Sequence, residues 1–484
     1  MNDSETWAER RRILFVTTAA LALRVVFLVL SDNNDGDAFA RVLLSRQVVE
    51  QGTWLPTDVW LPGHFWILSF PCLLGLGSQL WLRLFTALIG ALSVAAFYGL
   101  CRKLFGTRPA LACAWLLAFN PLHLRLSIVT VSEVDFLLLV TVAVWAYLEF
   151  LPSGSLRWLA VGVLFLNLAC GMRQEGWLFI AALPLGTWLA GLGMPPNEGS
   201  VALRRPLVFA TGSSLFVLGW MVFSWVTYGD PQHMATLTRE TNMTDQAYQS
   251  AALWYRLAFW PGVLLASLGP VAAWEAMRGF RRPWNPNHRF FAAFFVAIVS
   301  IYYVQNLRSA MITQARYGLL LVWLLLLVLG GKLAEPTRGL NLGNRLVTTA
   351  IIWLGVILIL AEGPFGVVSS KCRSVSPLPR FDRVVHRIDD YLRREPRRDT
   401  ILVGPLEGKY GPWMSLLDIW YPISKVSVPR GLEEVERRTR QGGRGYWISD
   451  SAWMRKNGWQ PEPLVLRGDL REEFSAERYT VYSW

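Results

Sequence analysis

Three carboxylates, Asp32, Asp35 and Asp37, fall within six residues immediately after the first long apolar block of this 484-residue chain. Carboxylates set down where a lipid-seeking segment ends sit at headgroup depth. Poor solvation there favours taking a proton from a nearby hydroxyl, which is the work of a general base. Asp37 precedes a helical pattern and suits an N-cap equally well, whereas Asp35 has no such structural duty. Further candidates are His64, in the stretch between the first two apolar blocks, and Glu133, Asp135, Arg173, Glu175, Arg316 and Tyr317, near the ends of later ones. Arginines and acids in such places also form ordinary interface ion pairs. His64 and His123 lack partners at ligand spacing and read as hydrogen-bonded structural residues. The five cysteines show no close pair or His-rich neighbourhood, so neither a zinc site nor a disulfide framework is indicated.

The elements that position these residues are membrane spans. Apolar residues make up 53% of the chain and charged ones 17%, and mean hydropathy is +0.32. The apolar residues form blocks near the length of about 20 that a helix needs to cross a hydrocarbon core. Eleven spans are predicted, near 13–30, 82–100, 109–122, 134–151, 158–170, 177–192, 207–227, 257–277, 290–304, 318–334 and 346–362. The first follows Arg10, Arg11 and Arg12 but shows no small-residue cleavage site, so it reads as a retained helix. Many of the 24 Trp, including Trp54, Trp60, Trp81, Trp177, Trp254, Trp260 and Trp284, stand near block ends and read as interfacial anchors. Arg24 lies within the first span and needs a protein or phosphate partner, a structural pair being the favoured reading.

Alternate loops carry Arg102, Lys103, Arg108, Arg157, Arg204, Arg205, Arg278, Arg281, Arg282, Arg289, Lys332, Arg338 and Arg345, which marks that face as cytoplasmic. The N-terminus then lies in the cytoplasm and the candidate residues face outward. Residues 31–80 form a long outer loop. In it Ala40, Leu43, Leu44 and Val48 repeat at helical spacing, with Arg41, Arg46 and Glu50 on other faces, as in a helix lying in the interface. Residues 1–363 form the membrane domain. Residues 364–484, holding 21 of the 47 Lys and Arg and 16 of the 35 acids, form a small soluble α/β domain outside. There, residues 381–392 have helical spacing, and 401–403, 425–428, 446–448 and 479–482 read as strands.

Four motifs resemble the GT-C superfamily of polyprenyl-phosphate-sugar-dependent glycosyltransferases, in particular bacterial relatives of protein O-mannosyltransferases and the aminoarabinose transferase of lipid A. They are Asp35-Gly36-Asp37, Asn120-Pro121-Leu122-His123 leading to Ser132-Glu133-Val134-Asp135, Gly171-Met172-Arg173-Gln174-Glu175-Gly176, and Ala315-Arg316-Tyr317-Gly318-Leu319-Leu320. The stretch Trp60-Leu61-Pro62-Gly63-His64 departs from the Lys-Pro-Pro run associated with the aminoarabinose enzymes, and the prolines usual after the Arg-Tyr motif are missing.

The resemblance implies a multi-pass protein of the bacterial cytoplasmic (inner) membrane. It would move a sugar, with inversion, from a polyprenyl-phosphate donor to a protein, lipid or envelope-glycan acceptor. Asp35 or Asp37 would be the base and Arg173 and Arg316 the donor-phosphate ligands. Glu133, Asp135, Glu175, His64 and Tyr317 would bind sugar or acceptor, or support the site; a divalent cation is left open as a cofactor. Membrane lipids are expected neighbours and a nucleic acid is not. The competing reading is a transporter or lipid-linked glycan flippase, for which many spans and buried charges are equally expected. It accounts poorly for the acidic loop and the tail.

Overall fold

A computed structural model of the chain describes residues 3–31, 36–52, 54–55, 60–192, 201–244, 252–280, 286–308, 311, 313–335, 339–362, 373–378, 383–394, 400–403, 426–427, 432–441, 444–450, 454, 460–476 and 479–484. Two compact units divide the chain. One comprises Met1–Phe27, Thr53–Ile67 and Phe85–Leu378, the other Leu28–Gly52, Leu68–Leu84 and Pro379–Trp484.

The first unit is a helix bundle. Every predicted block falls on helix, and eight helices among the described residues are long and apolar enough to cross a membrane. The blocks at 109–122, 158–170 and 177–192 correspond to the shorter helices Thr107–Ala118, Leu156–Met172 and Glu175–Ala190. The block at 207–227 is interrupted at Ser214, between Val201–Ser213 and Leu215–Tyr228. Gly318–Leu333 is apolar all round, so it seeks burial on every side, and all sixteen of its residues are buried. Its Trp323 meets the rings of Phe97, Phe179 and Phe291. Leu253–Gly279 is kinked at Gly269, whose φ of 76° suits glycine alone, directly before Pro270. Trp54, Trp81 and Trp254 are exposed as interfacial anchors should be, but Trp260 is 1% exposed and packs within the bundle on Phe259 and Tyr302.

Ion pairs gather at both ends of this bundle. Glu9 meets Arg102 at 3.2 Å, Lys103 meets Glu149 at 2.9 Å, and Glu275 pairs with Lys332 and Arg278, all at one end. Glu133, Arg173, Glu175 and Arg316 gather at the other. Glu133 and Glu149 mark the two ends of one helix, Ser132–Ser153, about 24 Å apart along its axis at 1.5 Å per residue.

In the second unit five strands form one sheet: β1 Thr400–Val403, β2 Val426–Ser427, β3 Gly445–Asp450, β4 Arg471–Ala476 and β5 Tyr479–Ser483. Their order is β2-β1-β3-β5-β4, with β1 parallel to β2 and β3, and β5 antiparallel to β3 and β4. Leu402, Val435, Trp447, Met454, Leu464, Leu470 and Tyr482 form the core. The helix expected over 381–392 is Arg383–Arg394. The loop helix is Gly36–Gln51, but it does not leave its cations outside as its apolar spacing suggested. Arg41 and Arg46 are buried, and Arg46 donates to the carbonyl of Gly77.

Candidate active site

Three chain segments converge at one end of the bundle. Ser132–Ser153 opens with Glu133 and Asp135 in its first turn, where the helix dipole favours acids. The helix Leu156–Met172 stops at Arg173, which adopts extended angles (φ −149°, ψ 142°), and Glu175 opens the next helix two residues later. A 3-10 turn, Ala315–Tyr317, leads into the central helix.

Arg173 is the hub. Its Nη2 donates to Glu175 Oε1 at 2.6 Å and its Nε to Glu175 Oε2 at 3.2 Å, a bidentate fork, while Nη1 donates to Glu133 Oε1 at 2.6 Å. Arg316 Nε lies 3.4 Å from that same Glu133 oxygen. The Tyr317 ring faces both guanidiniums, at 4.9 Å from Arg173 and 5.4 Å from Arg316. Tyr302, from the helix Pro286–Leu307, donates to Glu175 Oε1 at 3.2 Å. Burial by itself would lower the pKa of Arg173, yet the carboxylates of Glu175 and Glu133 more than offset it and hold the guanidinium protonated well above its ordinary range. Two cations and two anions thus form one cluster, nearly dehydrated, with side-chain exposures of 4 to 16%.

Residues 59–225 match the family described as dolichyl-phosphate-mannose-protein mannosyltransferase. No curated protein matches the chain. Among solved structures, ArnT from Cupriavidus metallidurans bound to undecaprenyl phosphate is similar, with a TM-score of 0.62 and 13% identity over 97% of each chain. Its apo state gives 0.60 and 15%, over 100% of this chain and 98% of that one. The archaeal oligosaccharyltransferase AglB from Archaeoglobus fulgidus, in complex with an inhibitory peptide and a dolichol-phosphate, gives 0.50 and 12%, over 93% and 70%. The chain has the fold seen in these ArnT structures.

Within this fold, Arg173, Arg316, Glu133, Glu175 and Tyr317 are brought together as a set. Asp135 and His64 meet each other instead, Oδ2 to Nδ1 at 2.7 Å, with both side chains wholly enclosed, so neither offers a surface to a sugar. Asp35 lies outside the described residues. Asp37 is placed only as backbone in the first turn of Gly36–Gln51, and its side chain also lies outside them. Among the described residues no cluster of three or more His, Cys, Asp or Glu is arranged to hold a metal ion.

The motif at 120–123 builds a second polar group. Asn120 caps the helix Pro121–Ser127 by accepting from His123 N at 2.9 Å and donates its own amide to Ser267 O. Arg24 finds its expected partner here. Its Nη2 lies 2.6 Å from His123 Nδ1, and Nη1 donates to Ala20 O at 2.7 Å. A guanidinium only donates, so Nδ1 accepts and the His123 proton sits on Nε2, 2.9 Å from Ser93 Oγ. Tyr302 escaped sequence reasoning, because a tyrosine near a span end carries only an interfacial-belt signal.

Proposed function

We propose that this chain is a membrane glycosyltransferase that moves a sugar from a polyprenyl-phosphate donor to an acceptor outside the cytoplasm. The observation that carries the reading is the nearly dry pairing of Arg173 and Arg316 around Glu133 and Tyr317 at one end of the bundle. It belongs to a fold that ArnT also has, and ArnT has been captured with undecaprenyl phosphate. Two adjacent guanidiniums in a low-dielectric cluster suit a lipid phosphate and the charge that gathers on it as the sugar departs.

In this reading Asp35 or Asp37 takes the proton of the acceptor hydroxyl. The acceptor oxygen bonds to the anomeric carbon from the face opposite the phosphate. The carbon–oxygen bond to the phosphate breaks, the configuration inverts, and Arg173 and Arg316 hold the released polyprenyl phosphate. Glu133, Glu175 and Tyr317 orient the arginines and meet sugar hydroxyls. In this reading the cation-rich end, with Arg102, Lys103, Arg278 and Lys332, faces the cytoplasm of a bacterial cell, and the candidate site faces away from it.

Incubation of the purified protein with polyprenyl-phosphate sugars should release polyprenyl phosphate. Absence of turnover with every donor, together with accumulation of lipid-linked sugar in the opposite leaflet of vesicles, would establish transport in its place.

A further inference from the structure

A wholly enclosed ionisable pair flanks the arginine cluster. His64 Nδ1 stands 2.7 Å from Asp135 Oδ2, and the other ring nitrogen faces the carbonyl of Thr130 at 3.3 Å. A carboxylate and a carbonyl both accept, so each ring nitrogen faces an acceptor and the two contacts together fix the ring's orientation. A buried ionisable pair is a poor way to gain stability, because well-packed apolar residues of similar volume often serve as well or better. What it supplies is direction: one fixed angle and distance between two segments.

The segments it joins are those that carry the cluster. Asp135 lies two residues from Glu133 in the first turn of Ser132–Ser153. His64 follows Gly63, whose backbone approaches Gly171 so closely that a Cβ there would stand 2.7 Å from the Gly171 carbonyl carbon and oxygen. Gly171 is two residues before Arg173. Residues 63 and 64 therefore touch the element bearing Glu133 and the turn bearing Arg173 at once. Oδ1 of Asp135 is buried without a hydrogen-bond partner among the described residues, so its carboxylate is directed through Oδ2.

We infer that His64 and Asp135 are positioning residues. Their contact sets the spacing of Glu133 against Arg173 and Arg316, and through it the readiness of the two guanidiniums to take a lipid phosphate. The inference rests on the proposed reaction, and neither residue touches substrate.

The test uses the full chain in detergent with undecaprenyl phosphate as probe, measuring lipid affinity well below the melting temperature and, separately, melting without lipid. Asp135→Asn, nearly isosteric, should weaken binding about tenfold or more, since a small displacement of positioning groups has effects of that order. The exchanged pair, His64→Asp with Asp135→His, should recover most of the lost affinity. Wild-type affinity in Asp135→Asn, whatever its melting temperature, reduces the pair to a structural role and overturns the inference. Should Asp135→Asn fail to fold, His64→Gln is read against the same two outcomes. Wild-type protein that binds no lipid phosphate overturns the proposed reaction instead.

Discussion

Arg173 and Arg316 meet on a single oxygen: Glu133 Oε1 lies 2.6 Å from Nη1 of the first and 3.4 Å from Nε of the second. Two like charges in a nearly dry cluster repel, and the shared carboxylate is what holds them side by side. Glu133→Gln removes that charge while keeping an acceptor. Breaking a buried pair by removing one partner costs about 3–5 kcal/mol, and the retained carbonyl should keep the loss toward the low end. An anion bound between the guanidiniums would replace the missing charge, so undecaprenyl phosphate should raise the melting temperature of the variant more than that of the wild type. Equal lipid-induced shifts would show that the phosphate does not bind between these arginines.

The contact of Arg24 with His123 makes acid pH destabilising. Burial first, and the Arg24 charge second, hold the His123 pKa well below its ordinary value of 6.5. The unfolded chain therefore binds a proton that the folded one refuses as pH drops below that value. Stability attributable to this group is full above about pH 6.5 and falls by about 1.4 kcal/mol per pH unit below it, until the folded-state pKa is reached. Melting curves between pH 5 and 8 should show this decline, and His123→Gln should flatten it. A wild-type profile already flat across that window would contradict the neutral assignment of His123.

The spans and the residue types of the site were legible in the sequence because both are departures from local composition. A charge at the edge of an apolar block stands out, and Glu133, Arg173, Glu175 and Arg316 all do. Their pairing was not legible. Glu133 and Arg173 are 40 residues apart, His64 and Asp135 71, and only the packing of helices decides which ends meet. Trp260 looked like a surface anchor because hydropathy cannot tell a lipid-facing ring from one facing another helix. Strand β4 was missed because its Arg471-Glu472-Glu473 opening is charged, as the edge of a sheet tends to be.

Gly63→Ala tests how tightly the first loop is seated. A methyl group 2.7 Å from the Gly171 backbone meets atoms that cannot rotate away, so one segment must shift, at a cost of about 1–3 kcal/mol for an overpacked site. The displacement falls beside both His64 and the Arg173 turn, so sugar transfer should fall along with the melting temperature. Gly219→Ala is the control. It lies in the helix Leu215–Tyr228 with nothing within 4 Å of the added carbon, and alanine there should stabilise by about 0.5–1 kcal/mol. Equal melting temperatures for the two variants would mean that the 63–171 contact is loose.

The acidic motif and the phosphate ligands should fail in different ways. Asp35→Asn and Asp37→Asn keep shape and lose the base; whichever residue takes the proton should lower turnover about 100-fold or more, the usual contribution of a general base, with donor affinity little changed. If both variants transfer at the wild-type rate, the motif caps a helix and the proposed chemistry is wrong. Arg316→Ala should do the reverse, weakening donor binding first. The Arg316 side chain is 13% exposed and lies 3.4 Å from Glu133, and Arg173→Ala should weaken donor binding as well. Donor titrations of the four variants beside their turnover rates separate these roles, and unchanged donor affinity in Arg316→Ala removes that residue from the phosphate site.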